Sequence, residues 1–387
     1  MIKVLIVDTH TSFGGGETML LRMVSGFDRK RVEPLVVVSA RNERRLTELR
    51  RLGIPCVALR DINLAWGNKF LKVLAQLPNF ILLNFRIAAL IVKEKPDVIH
   101  AGLFYSALFS FLPARLFGKK FIWVAQTLSD FLAYPSLSKM LLRFSDKTIL
   151  TCADFNRLLK ENNMPGREKT EVIYTGLEES FFEKRESGPV VEVNSFSIKR
   201  PIVALFGRYD PMQKGHPYFF EAARLIHVAC PQANFVIVGG AGNGAEKAYQ
   251  KELETLSVKL GIRDHTFFIG YIAGDPAWFF PYVDVVMIPS SYEAPSAVAI
   301  EAGAAGRPVV AFAVGGIPEV VQEGETGYLV PHGDAKALAE KTIALLSDPQ
   351  KADAMGEKGR EFTKEKFSQE KLVAGYTHLY ESLVKRS

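Results

Sequence analysis

Cysteine is scarce in this chain of 387 residues: Cys56, Cys152 and Cys230 stand apart, with no C-x-x-C spacing. A scattered, odd set excludes a disulfide framework and a thiolate zinc site and points to a reducing compartment. No run of eighteen apolar residues occurs, so no transmembrane helix is expected. No signal peptide is expected either, because Met1 to Asp8 (MIKVLIVD) turns acidic too early and reads as a first strand. Walker A, zinc-ligand and Ser-His-Asp patterns are also missing. Acidic residues run short in the first half. Residues 1–180 hold 26 Lys and Arg against 17 Asp and Glu, while residues 181–387 hold 22 against 25. The positive excess of the first half implies an anionic partner there (a membrane surface, a diphosphate or nucleic acid) or a solvated basic face.

Apolar runs are plentiful. With 48% hydrophobic and 23% charged residues the composition is globular, and the length favours two domains. Short β-branched runs alternate with helical patterns from Val4 to Tyr174, which predicts a doubly wound parallel sheet. A long apolar helical region is predicted over about 70–93, broken at Pro78. Residues 183–200 lose periodicity and gain charge, so they read as a connection. A second alternating series begins at Ile202, with strands predicted at Phe235–Val238, Thr266–Ile269, Asp284–Ile288 and Val309–Phe312. A final amphipathic helix over Gln369–Val384 carries Leu372, Tyr376, Leu379, Tyr380 and Leu383 on one face. The expected division is 1–182, a linker 183–200, 201–366, and a terminal helix within 367–387.

The chain is organised around Pro289–Pro318 (PSSYEAPSAVAIEAGAAGRPVVAFAVGGIP). A strand, a loop holding Glu293, a small-residue helix holding Glu301 and a further strand form one unit of a parallel sheet. Open α/β sheets bind ligands at the carboxyl ends of their strands. Were the segment helical throughout, eight steps would place the two carboxylates about 12 Å apart. That separation suits two contacts to one extended ligand better than an acid/base pair. The helix start at Ser296 and Ala297 offers backbone N–H groups to an anion. Upstream, Gly207-Arg208 and Lys214-Gly215 follow a predicted strand, so a guanidinium fork and an ammonium lie close in sequence. Phe13-Gly14-Gly15-Gly16-Glu17 follows the first strand and opens a helix.

These residues, in this order, resemble the donor site of the family 4 retaining glycosyltransferases: Glu293, Glu301-Ala302, Gly306-Arg307-Pro308-Val309-Val310 and Gly315-Gly316-Ile317-Pro318-Glu319. The resemblance implies the GT-B architecture, with two Rossmann-like doubly wound parallel-sheet domains facing a central cleft and a terminal helix crossing back to the first domain. It implies transfer of a hexose from a nucleotide diphosphate sugar, such as a UDP or GDP sugar, to an acceptor hydroxyl. Arg208 and Lys214 would neutralise the diphosphate as charge grows on it. Glu301 would hold the ribose, Glu293 the sugar, Ser296 and Ala297 the phosphates. Tyr271 would line the nucleobase pocket, or else pack as a core aromatic, and Gly15 and Gly16 would meet the donor phosphates or the acceptor. His100, in Asp97-Val98-Ile99-His100, is an acceptor-side candidate or a structural histidine.

Two departures from the family pattern stand out. Gln126 replaces a histidine that reaches the transferred sugar in many relatives, and Ala294-Pro295-Ser296 replaces a glycine-rich turn, Pro295 lacking an N–H. There is no Asp-x-Asp, so neither a metal nor another cofactor is expected and Arg208 and Lys214 stand in its place. The expected partners are a nucleotide sugar donor and a glycan or lipid-linked acceptor, not nucleic acid. The expected setting is the cytoplasm, with peripheral contact between the basic first domain and the inner face of the membrane, in cell-envelope polysaccharide, lipopolysaccharide or glycolipid assembly. The alternatives are a nucleotide-sugar 2-epimerase of the same architecture and a catalytically silent sugar-nucleotide-binding subunit.

Overall fold

The computed structural model describes residues 1–9, 15–59, 77–126, 134–240, 244–272 and 276–385. The chain divides into two compact units, Met1–Gly176 with Gln369–Ser387 and Leu177–Ser368.

In the first unit, seven parallel strands form one sheet: β1 (Ile2–Asp8), β2 (Val32–Ser39), β3 (Cys56–Leu59), β4 (Val98–Ala101), β5 (Lys120–Ala125), β6 (Lys147–Leu150) and β7 (Thr170–Val172). Their order is β3-β2-β1-β4-β5-β6-β7. Strands such as β4 and β5 read as continuous apolar runs because helices cover both faces. The described helices are α1 (Gly15–Ser25), α2 (Glu43–Arg51), α3 (Leu77–Glu94), α4 (Phe104–Leu116), α5 (Pro135–Phe144) and α6 (Asp154–Glu161). Ile122 and Val124 pack into a core shared with α1, α2 and the C-terminal residues Leu372 to Leu383. Phe121 and Trp123 point the other way, to Phe111 and Phe104 of α4 with ring centroids 5.6 and 6.1 Å apart. Pro78 sits in the first turn of α3, where its missing N–H is not needed. The part of that apolar region before residue 77 lies outside the described residues.

The second unit begins at Leu177 and takes in residues 183–200. Residues 183–200 contain an antiparallel hairpin, β8 (Val190–Val193) and β9 (Phe196–Lys199). Its inward residues Val191, Val193 and Ile198 are buried, but a four-residue strand is too short for its alternation to stand out. Asn194 at the tip donates to the Ile269 carbonyl, and Phe196 packs on Phe267 at 5.8 Å. The hairpin thereby shields the edge strand of a six-stranded parallel sheet. That sheet has the order β12-β11-β10-β13-β14-β15. Its strands are β10 (Ile202–Phe206), β11 (Asn234–Val238), β12 (Thr266–Gly270), β13 (Val285–Ile288), β14 (Val309–Phe312) and β15 (Gly327–Val330). Its helices are α7 (His216–Ala229), α8 (Gly244–Lys259), α9 (Ala297–Ala304), α10 (Ala335–Leu346) and α11 (Pro349–Phe367). The short strand β15, Gly327–Val330, is not among the predicted strands.

The last helix, α12 (Gln369–Val384), groups with the first unit. It buries Leu372, Tyr376, Leu379, Tyr380 and Leu383 among α1 and β1 side chains, and Gln369 donates to the Arg22 carbonyl at 2.7 Å.

Candidate functional site

In the second unit the chain winds from β10 out to β12 and then returns to β13 on the other side of β10. The loops after β10 and β13 therefore leave the sheet from neighbouring strands in opposite directions, which opens a crevice at their carboxyl ends. The two loops are tied together. Ser291 donates its N–H to the Gln213 carbonyl at 2.9 Å and its hydroxyl to the Met212 carbonyl at 2.8 Å. The Gln213 side chain donates to the Tyr292 carbonyl at 3.2 Å. Gly215, with φ +65°, lies so close to Pro289 that a Cβ would fall 1.7 Å from its carbonyl oxygen. On the other side Gly316 donates to the Glu293 carbonyl at 2.9 Å. A Cβ on Gly315, φ +54°, would fall 2.0 Å from that same oxygen. Glu293 is thus held by main-chain packing from both neighbours.

Glu293 is buried, with its side chain only 11% exposed. Its Oε1 accepts from Lys214 Nζ at 2.7 Å and from the Ser290 hydroxyl at 2.8 Å. A carboxylate is tolerated there because it is both paired and hydrogen-bonded. The sequence reading gave Lys214 and Glu293 separate tasks; the fold makes them one charged pair. Ser290, read only as loop, belongs with them; its signal was a hydroxyl three residues before a carboxylate at a strand end. Arg208 lies on the same β10 loop with its side chain 70% exposed and Nη1 4.0 Å from Glu246. Tyr271 stands beyond the end of β12 and is exposed, so the core-aromatic reading is excluded.

Glu293 is not helical. Helix α9 begins at Ala297, and Ser296 caps it by accepting from the Ala299 N–H at 3.4 Å. The separation estimated from eight helical steps therefore does not apply; Pro295 keeps the chain out of helix just before the cap. Glu301 lies in the second turn of α9, half-buried. Two residues after Lys214 comes His216, which the sequence reading passed over. It is fully buried between the rings of Tyr209 and Tyr249, at 5.8 and 5.7 Å. Burial, aided by the Lys214 charge, lowers its pKa to about 4.

The first unit holds the remaining candidates. Gly15 and Gly16 open α1, while Phe13 and Gly14 lie outside the described residues. Gln126 follows β5 and is half-buried; residues 127–133, including Thr127, lie outside the described residues. His100 has the surroundings of the structural alternative. It is buried within β4, its Nδ1 is 2.7 Å from the Tyr380 hydroxyl, and its ring stacks on Tyr376 at 5.3 Å. Both tyrosines belong to α12, 276 or more residues away in sequence, so local spacing carried no sign of them. Burial lowers the His100 pKa to about 4, against the smaller opposing effect of Asp8. Asp8, at the end of β1, forms a buried ion pair with Arg45 at 2.9 Å.

Comparison with known proteins bears on both units. The model of Glycosyltransferase Family 4 matches residues 13–181, and that of Glycosyl transferases group 1 matches residues 191–362. The chain is 25% identical over 311 residues to N-acetyl-alpha-D-glucosaminyl L-malate synthase of Bacillus anthracis, covering 78% of this chain and 79% of that protein. It is 28% identical over 250 residues to the lipopolysaccharide core biosynthesis mannosyltransferase LpsB of Rhizobium meliloti, covering 64% and 69%. The crystal structure of Anabaena HepE in complex with UDP-glucose matches its fold with a TM-score of 0.76 at 22% identity, over 99% of this chain and all of that one. Matched in order along both units, the chain belongs to glycosyltransferase family 4, the glycosyl transferases group 1, and has the GT-B fold.

Proposed function

We propose that the protein is a retaining hexosyltransferase that moves a sugar from a nucleoside diphosphate sugar, with UDP or GDP as the nucleoside diphosphate, to an acceptor hydroxyl in cell-envelope glycan or glycolipid assembly. The observation that carries this reading is the Lys214–Glu293–Ser290 cluster, held by main-chain contacts at the β10/β13 switch point. Lys214, with Arg208 from the same loop, meets the diphosphate. Glu293 takes hydroxyls of the transferred sugar and keeps the Lys214 ammonium aimed. Glu301 takes the ribose hydroxyls, Tyr271 lies beside the base, and the start of α9 at Ser296 and Ala297 faces the phosphates. The UDP-glucose bound by HepE supports a uridine donor, and the names of the malate synthase and the mannosyltransferase support transfer to a small hydroxyl compound or a saccharide.

In the proposed reaction the bond from the anomeric carbon to the leaving phosphate oxygen breaks, and the acceptor oxygen bonds to that carbon from the same face. The acceptor proton passes to the departing phosphate, so no dedicated base is needed and Gln126 is compatible. Negative charge that develops on the diphosphate is met by two cations that are already in place, which is where electrostatic catalysis gains most.

The test starts with a thermal-shift screen of nucleotide sugars. A ligand present at 100 times its Kd stabilises by about 2.7 kcal/mol. The best donor is then incubated with saccharide and glycolipid acceptors, and the anomeric configuration of the product is read by NMR. An α-linked product from an α-linked donor is expected. An inverted product, a free epimer without an acceptor, or no shift with any nucleotide sugar would overturn the reading.

A further inference from the structure

Helix α3 has two apolar faces. Leu83, Ile87 and Ile91, four residues apart, are buried against the sheet side. Leu82, Phe85 and Val92 form a second row at helical spacing that meets solvent, with Phe85 69% exposed. Helix α4 lies alongside, with Phe109 5.5 Å from Phe80, and it adds Leu112 and Leu116, the latter 73% exposed. Helix α5 extends the surface, with Phe144 6.3 Å from Phe111 of α4. Of fifteen exposed large apolar side chains among the described residues, nine lie on these three helices and Phe117 just after α4, so the exposure is concentrated on one face. Contiguous apolar surface of this kind marks an interaction site.

Charge identifies the occupant. These helices carry Arg86, Lys93, Arg115, Lys139 and Arg143 against Glu94, which pairs with Lys93 at 3.1 Å, and Asp146 just after α5 pairs with Arg115 at 3.4 Å, so the face keeps a positive excess. Arg115 and Arg143 lie over the rings of Phe111 and Phe144, at 5.9 and 5.8 Å, so cationic heads ride on an apolar base. A second copy of this chain docking through the same face would set like charges against each other. No helix among the described residues is long and apolar enough to cross a membrane. We propose that the α3–α4–α5 face docks in the plane of an anionic lipid bilayer, its apolar row entering the acyl boundary and its basic residues meeting lipid phosphates. This is the arrangement of an interfacial, not a spanning, element. The proposal rests on this surface and not on the donor site.

The experiment is flotation of the full-length protein with vesicles of phosphatidylcholine alone and of phosphatidylcholine with an equal part of phosphatidylglycerol, at low and high salt. Binding is expected on the anionic vesicles at low salt and is expected to weaken at high salt. The double variant Phe85→Ser/Leu116→Ser should lower the bound fraction about tenfold. Arg86→Gln and Arg143→Gln should each lower partitioning about fivefold. All variants should retain the melting temperature and nucleoside diphosphate binding of the wild type. In case the serine variants misfold, Phe85→Trp supplies a second readout, a blue shift of its emission on addition of anionic vesicles. Protein that stays in solution with anionic vesicles at low salt, serine variants that bind like wild type, or a tryptophan emission that does not move would overturn the proposal. So would light scattering that shows a dimer abolished by the same serine substitutions, which would assign the face to a second copy of the chain.

Discussion

At Lys214 a single ammonium has two claims on it. In this structure it bonds Glu293 at 2.7 Å, and in the proposed complex it also faces a diphosphate. A lysine head has three donors, so both contacts can be made together. Lys214→Ala removes the fixed cation and leaves a buried carboxylate unpaired. It should cost about 2–4 kcal/mol of transition-state stabilisation, comparable to losing one oxyanion donor. Turnover within threefold of wild type would refute the diphosphate role. Because the two side chains are one pair, Glu293→Ala should also weaken nucleoside diphosphate binding, and Lys214→Ala with Glu293→Ala should be non-additive by about 1 kcal/mol or more in calorimetry. Additive losses would mean that the pair does not act together. In the proposed reaction Arg208 and Lys214 supply the positive charge, so turnover of dialysed protein in excess EDTA should stay close to that of the untreated protein. Activity that disappears and is restored by Mg²⁺ or Mn²⁺ would assign the charge to a metal instead.

Elements position these residues through close main-chain contact. The loop from Arg208 to Gly215 can lie on Pro289 only because residue 215 has no side chain and takes a left-handed conformation. Gly215→Ala should push the two loops apart, lowering the melting temperature of the second unit and the turnover together. An active, fully stable alanine variant would show that the loops need not touch. Much of this level is visible in the chain itself. The runs at β10 and β14, and the helices α10 and α12, lie where their apolar periodicity and caps put them, because propensity and burial agree there. The hairpin at 190–199 and strand β15 were not visible. Each is four-residue strands stabilised by distant partners, Ile269 and Phe267 for the hairpin and β14 for β15.

At the scale of the whole molecule, each unit buries a neutral histidine under a functional or structural contact, His100 in the first and His216 in the second. Both are lowered from the ordinary value near 6.5 to about 4. The unfolded chain therefore binds more protons than the folded one between these values. The stabilising effect of the neutral form is complete above about pH 6.5 and is lost as pH falls through about 4. Each site should contribute up to about 3 kcal/mol to that loss. Melting temperatures measured from pH 7.5 to pH 4.5 should fall, and His216→Phe should flatten the fall for the second unit. A profile that is flat in the wild type would refute both assignments.

The alternation of apolar runs and amphipathic helices, the basic first half, and the ordered set of Arg208, Lys214, Glu293, Glu301 and the glycines were determined by the sequence by itself. They depend on local spacing and composition, which need no partner to be seen. Only the tertiary structure decided that Lys214 and Glu293, 79 residues apart, form one pair, that His100 packs against the tyrosines of α12, and that α3 turns a second apolar row outward. Each of these follows from which strands are neighbours and which helix faces they bury. A parallel sheet sets that order through long crossovers, and its contacts join residues too distant in sequence for any local pattern to record.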